Sequence, residues 1–165
     1  MYADRVNLSS ARRAAGIWRA ELAGGGPGAF DAAWKLARAD YWLGEHAPEA
    51  ERRASFEEGI EAGRKAIALQ PNHPEGHFWT AANMGGLAES FGLRQGIKYR
   101  KPIKEGLETA LRLDPAYLHG SADRALGRWY FRVPRLFGGS RRGSSSSSRR
   151  NSASSRTQPG GHHAH

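Results

Sequence analysis

Two segments of the chain end alike. Ala66-Ile-Ala-Leu-Gln-Pro71 and Ala110-Leu-Arg-Leu-Asp-Pro115 lie 44 positions apart, and the same alignment pairs Glu61 with Glu105. Each reads as a helix with small and aliphatic residues along one face, stopped by a proline. Proline lacks the amide that the next turn needs, and it disfavours helical geometry in the residue before it. Recurrence of one unit at a period of about 20–50 residues marks a stacked repeat, because a single unit cannot bury its apolar face alone. A chain of this kind folds by piling helix pairs on one another, and its surfaces suit binding rather than catalysis.

A leading helix is predicted from Leu8 to about Ala23. Ser9 or Ser10 can cap its free amides, and Ala11, Ala14, Ala15, Ile17, Trp18 and Leu22 form an apolar stripe. Gly24-Gly-Gly-Pro-Gly28 ends it as a loop. Between Phe30 and Gly44, the residues Trp34, Ala37, Arg38 and Tyr41 stand at the spacing of the W-x2-L-G-x2-Y signature of tetratricopeptide helix A, with Arg38 in place of the usual glycine. Helix B of this unit is expected from about Glu49 to Gln70, burying Phe56, Gly59, Ile60, Gly63, Ala66, Ile67 and Leu69. A second unit has helix A from Pro74, a residue favoured in a first turn, to about Phe91, and helix B from Pro102 to Leu113. The segment from Phe91 to Lys101 is read as the loop that lengthens this unit. A third helix A, from Ser121 to about Val133, carries Ala125, Leu126, Trp129, Tyr130 and Phe131 and has no partner helix after it. The expected fold class is all-α, with tetratricopeptide-like stacked helical hairpins (an α-solenoid) over residues 1–139 and a disordered tail over residues 140–165.

The charge divides at the same place. The net charge is +9, but five of the 25 basic residues (Arg141, Arg142, Arg149, Arg150 and Arg156) follow Ser140, where there is no acid. The first 139 positions keep 20 basic against 16 acidic residues, an ordinary +4. Beyond Phe137 the only apolar side chains are Ala153 and Ala164, too few to offset the entropy of ordering. Three origins fit this tail: a Ser/Arg segment that touches RNA or accepts phosphate, a remnant of expression, or out-of-frame translation of a GC-rich gene. The last would also account for a repeat that stops halfway. Cysteine is absent, which removes disulfides, thiolate metal sites and a cysteine nucleophile. No apolar run approaches the roughly 20 residues of a membrane span. The first eight residues show no secretion signal, so as written the chain reads as cytoplasmic.

Catalytic signatures are missing: there is no phosphate-binding glycine loop, no G-x-S-x-G and no H-E-x-x-H. His73 and His77 are four apart, but Pro74 places the first in a turn, so no metal pair and no cofactor are expected. Asn83, Gly85 and Gly86 fall in mid-helix, where each glycine costs about 1 kcal/mol relative to alanine. Close helix packing is the favoured compensation. The functional alternative is a shallow notch in which Trp79, Asn83 and Glu89 face a partner. Arg94, Lys98, Tyr99, Arg100 and Lys101, with Lys104, form a basic, aromatic-containing loop. It is either a solvated face or a cradle for a carboxylate or phosphate at the amino end of the Pro102 helix. Asp123, Arg124 and Arg128 are expected to pair along their helix or to reach Glu105 or Glu108, with ligand contact the minority reading. Trp34, Tyr41, Trp42, Trp79, Trp129 and Tyr130 are expected in the core.

Several short motifs occur in a recognisable order. They are Asn83-Met-Gly-Gly-Leu-Ala-Glu-Ser-Phe-Gly92, Pro102-Ile-Lys-Glu105, Leu113-Asp-Pro115, Asp123-Arg-Ala-Leu-Gly-Arg-Trp-Tyr130 and Leu136-Phe-Gly-Gly139. Over about residues 30–139 the chain resembles the TatT family, the tetratricopeptide-like T-component associated with bacterial tripartite (TRAP) solute transporters. The Leu126-Gly-Arg-Trp129 element is also similar to the eukaryotic regulators of microtubule dynamics, which share the helical-repeat plan. The TatT resemblance implies a periplasmic, often lipid-anchored protein that meets a solute-binding subunit and offers an apolar channel to organic acids. This chain departs from that pattern in having no signal peptide and no lipidated cysteine.

The expected function is a non-catalytic scaffold that binds a protein partner, such as a solute-binding subunit, or a small organic anion. The uncovered side of Trp129, Tyr130 and Phe131 is expected to favour self-association into a homo-oligomer. The rival reading is a nucleic-acid-associated protein acting through the tail. It predicts RNA binding that weakens steeply with salt and vanishes when residues 140–165 are deleted, as a salt titration of oligonucleotide binding would show.

Overall fold

The computed structural model describes the backbone of residues 2–132 and the side chains of residues 7–130. The Ser/Arg tail and the side chain of Phe131 lie outside the described residues. Six helices make up the described chain: α1 (Tyr2–Gly24), α2 (Ala29–His46), α3 (Glu49–Leu69), α4 (Pro74–Phe91), α5 (Leu93–Leu113) and α6 (Ser121–Arg132). The pairs α2–α3 and α4–α5 are hairpins, and α3 joins the two by packing on α4. Helix α1 covers α2, α6 covers α5, and α2 also touches α4. No strand occurs among the described residues. The stacked hairpins are those expected from the repeat.

The two proline stops are the same device twice. The amide of Gln70 bonds the Ala66 carbonyl and that of Asp114 bonds the Ala110 carbonyl, each at 2.9 Å, one residue before the proline. Helix α1 begins at Tyr2 rather than Leu8. In α3 the expected face is buried at Phe56, Gly59, Ile60, Gly63 and Ala66, whereas Leu69 is exposed where the helix runs out.

The largest departure is in the second hairpin. Of the segment read as a loop from Phe91 to Lys101, everything from Leu93 onward is the first half of α5, with Pro102 inside the helix. Gly92, at φ 86°, makes the reversal alone, a conformation that side chains resist. Pro102 removes one intrahelical bond, normally a cost of about 3 kcal/mol. The helix nevertheless continues through it. Tyr99, Ile103, Leu107 and Ala110 form one buried stripe that crosses the proline, and their burial outweighs the missing bond.

Helices approach closely where glycine allows it. The fully buried Phe56 of α3 sets its ring against Gly44 of α2 and Gly86 of α4, and a methyl group at either glycine would overlap it. One and two turns further along α3, Gly59 receives the Asn83 carboxamide and Gly63 receives Thr80. Asn83 is wholly buried, and its amide donates to the carbonyls of Ala37 (2.9 Å) and Trp79 (2.8 Å), locking α4 to α2. The Thr80 hydroxyl donates to Gly76 within its own helix at 2.6 Å.

Asp40 of α2 is 1% exposed, and neither carboxyl oxygen has a hydrogen-bond partner. It lies near the bidentate pair in which Arg19 of α1 donates to Glu58 of α3 at 2.5 and 2.8 Å. Burial, reinforced by Glu58 and opposed by Arg19, pushes the Asp40 pKa up to about 8. The unfolded value is near 3.9, so the folded chain holds a proton there that the unfolded chain releases first. Stability therefore falls as pH rises from about 4 to about 8 and is level above that. Asp40→Asn, an uncharged isostere, is expected to change little near pH 4 and to stabilise by a few kcal/mol at pH 9. Urea unfolding at the two pH values checks this, and parallel pH profiles for the two proteins would refute it.

A concave groove as the candidate functional site

The inner helices α2, α4 and α6, with one side of α5, enclose an open groove of about 560 Å³. That is within the range of sites that hold ligands or peptide side chains. Its floor is the α4 surface from Phe78 to Glu89, and its far wall is α5 from Leu93 to Leu107. Leu118, Ala125 and Trp129 close the third side. Leu93 and Ile97, 74% and 55% exposed, extend the apolar surface to the mouth.

The two mid-helix glycines of α4 divide their work. Gly86 faces the Phe56 ring and serves packing. Gly85 faces the groove with nothing near its missing side chain, so the floor is open there because it is glycine. Trp79 stands at one end of the floor. Its indole N–H donates to the Tyr117 hydroxyl at 3.1 Å, and its ring packs on Tyr41 (5.8 Å) and Phe78 (5.0 Å). Burial raises the Tyr117 pKa despite that hydrogen bond. At the other end Glu45, Glu89, Arg100 and Arg128 bring both signs of charge to the lining. Burial comes first in raising the Tyr41 pKa, Glu45 and Glu89 add to it, and Arg128 opposes them.

The structure separates the sequence-predicted residues. Trp79, Glu89, Arg100 and Arg128 line the groove, whereas Asn83 points the other way into the helix interface. Tyr99 is buried in the core, and Arg94, Lys98 and Lys101 are exposed residues outside the lining. Lys101 pairs with Glu105 at 3.7 Å and Lys104 with Glu108 at 3.6 Å. The proposed anion cradle therefore falls: α5 runs through Pro102, so no free helix amides point outward there. Arg124 reaches neither Glu105 nor Glu108. Its guanidinium donates to the carbonyls of Leu118 and His119 and to the Ser121 hydroxyl. It thus clasps a turn in which Leu118 (φ 48°), His119 (φ 56°) and Gly120 (φ 75°) are all left-handed, and this strained turn delivers Leu118 to the groove.

The aromatics expected in the core are half-buried. Tyr41, Trp79 and Trp129 form groove wall, Trp34 lies beneath the Arg38 guanidinium, and Trp42 stacks on His46. Tyr130, expected to be uncovered, is half-buried and donates to Glu108 at 3.3 Å, with Lys104 over its ring. Leu93, Ile97, Leu118 and Tyr41 escaped sequence reasoning as groove residues. The signal for two of them was there, since Leu93 and Ile97 share a helical face with Arg100 once α5 is taken as continuous.

Stacked hairpins around an open apolar groove define a helical-repeat protein. The chain belongs to the family described as Regulator of microtubule dynamics protein 1-3, whose model matches residues 24–141. Regulator of microtubule dynamics protein 3 of Rattus norvegicus is 31% identical over 107 residues, which are 64% of this chain and 22% of that relative. The chain thus spans about a fifth of the relative's length. No solved structure gives a significant match. The family match overturns the TatT resemblance and with it the bacterial transporter, its solute-binding subunit and the periplasmic location; the rat relative comes from an organism without a periplasm. Double glycines and Leu-Asp-Pro stops serve packing and helix ending in helical repeats generally, which is why they misled. The Leu126–Trp129 similarity lay within the matched span and pointed to the right family.

The two glycines give opposite expectations. Gly85→Ala should stabilise by up to about 1 kcal/mol through helix propensity. Gly86→Ala should destabilise by about 1–3 kcal/mol through overlap with Phe56. Chemical unfolding of the two variants measures the contrast, and equal effects would show that the residues share one environment.

Proposed function

We propose that this chain is a non-catalytic docking domain that takes part in regulating microtubule dynamics by holding a segment of a protein partner in the α2–α4–α5–α6 groove. The observation that carries the reading is the groove itself: an apolar trough, floored by an open glycine and walled by indole and aliphatic side chains. Such surfaces take apolar anchors of a peptide or helix, with aromatic walls supplying most of the contact energy. The relative's name supplies the process; the groove supplies the mode. Of the two occupants in the sequence reading, a protein partner is kept and the organic anion dropped, because the amide cradle that favoured an anion is absent.

Gly85→Arg tests this without disturbing the packed side of α4. Expressed in cells with labelled microtubule plus ends, the wild-type chain is expected to shift growth rate or catastrophe frequency, and Gly85→Arg to lose at least half of that shift at equal abundance. An unchanged shift in the variant would remove the groove from the account, and no shift with wild type would remove microtubules from it.

A further inference from the structure

The concave face continues past the groove. Tyr41 and Trp79 form a partition, and on its far side α1 and α2 enclose a second hollow of about 660 Å³. The two compartments differ in charge. The α4–α6 groove is lined by Glu45, Glu89, Arg100 and Arg128 alike. The charged residues lining the α1–α2 hollow are Lys35 and Arg38, and no acid lines it among the described residues.

These two cations are held in place by indoles. The Lys35 ammonium lies 4.8 Å from the Trp18 ring centre and 5.6 Å from that of Trp34, and the Arg38 guanidinium lies 5.3 Å from Trp34. Asp31 accepts from Lys35 at 3.3 Å and from the Trp34 indole at 3.1 Å, which fixes the Trp34 ring. Arg38 is exposed, and no ion pair ties it to another described residue. An arginine seated on an aromatic face keeps its outward N–H donors in a planar fork that matches a carboxylate. It loses less side-chain freedom on binding than a loose one.

We propose that the α1–α2 hollow takes acidic side chains of an extended peptide, with Arg38 and Lys35 as the carboxylate contacts, while apolar residues of the same segment cross Tyr41–Trp79 into the groove. The second half of this inference rests on the docking reading above. A peptide fits better than a nucleic acid on two grounds. Affinity for nucleic acid comes from neutralising many phosphates in a row, and two cations among indoles do not provide that. The hollow also opens beside an apolar trough, which suits a chain of mixed acidic and aliphatic residues. Arg38 occupies the position that is glycine in the tetratricopeptide signature, so the feature belongs to this chain rather than to the general repeat.

The test uses the full chain and a fluorescein-labelled glutamate homopeptide of about ten residues, some 33 Å when extended, at low salt where such contacts are least screened. Arg38→Glu is compared with Arg64→Glu, a charge-matched change at an exposed arginine of α3 that pairs with Glu61. Both variants keep the basic tail, so its contribution is common to both. The expected result is binding weakened about fivefold or more by Arg38→Glu relative to Arg64→Glu, with a unit-for-unit match in their circular dichroism. Equal loss in both variants, or none in either, overturns the assignment, and so does Arg38-dependent binding of a uridine oligonucleotide in place of the peptide. None of these results bears on Gly85→Arg, by which the groove reading stands or falls separately.

Discussion

The ring of Phe56 sits where three helices meet, and the rest of the stack depends on its fit. It projects from α3 between Gly44 of α2 and Gly86 of α4, and only glycine leaves room for it on both sides. That insertion sets the distance between the two inner helices. At that distance the Asn83 carboxamide can reach the Ala37 carbonyl, a buried bond that fixes α4 in register with α2. The concave face exists because this close approach happens on one side. Phe56 fills the packed side of α2 and α4, and Tyr41, Trp79 and Gly85 line the groove on the other.

The polar groups of the interior divide into satisfied and unsatisfied. The side-chain nitrogen of Asn83 has both its partners while its oxygen has none, and Thr80 bonds within its helix. Asp40 has none, and the desolvation it suffers is only partly offset by Arg19. The stack therefore contains one carboxyl whose neutral form is the native one at neutral pH, beside the ion pair that links α1 to α3. The attachment of α1 is of another kind from that of the other helices. It packs a stripe of Leu8, Ala11, Ala15, Trp18 and Leu22 on α2 and adds exposed ion pairs to Glu51 and Glu58. Pairs of that sort contribute at most about 1 kcal/mol each.

Much of the architecture was legible because local chemistry and global fold agree in it. Pro71 and Pro115 stop helices wherever they stand, Pro74 starts one, and the small residues of α3 announce a close neighbour. Legibility failed where tertiary burial overrode a local rule. Pro102 reads as a helix start, yet the buried stripe from Tyr99 to Ala110 carries the helix through it. That change of element dissolved the basic loop and left Arg100 as its contribution to the groove. Arg124 reads as an ion-pair partner for acids of the preceding helix, but the left-handed turn at Leu118 and His119 offers it carbonyls at closer range. The indoles read as core because bulky apolar side chains usually are. In a curved stack half of each lies on the concave surface.

By itself the sequence determined the six helices of the described residues, most of their ends and the repeat that stacks them, because propensity, proline and apolar periodicity act over a few residues and need no distant partner. It also carried, in Leu126–Trp129, a trace of the right family. Which face of each helix became groove was decided only by tertiary structure. That Gly85 opens the floor while Gly86 holds Phe56, and that Tyr41 and Trp79 separate a groove lined by charges of both signs from a hollow whose charged lining is cationic, depends on the angle between helices. That angle is set by side chains more than twenty positions apart in the chain, Phe56 against Gly86 and Asn83 against Ala37. No local pattern encodes such a meeting; it appears when the helices pack.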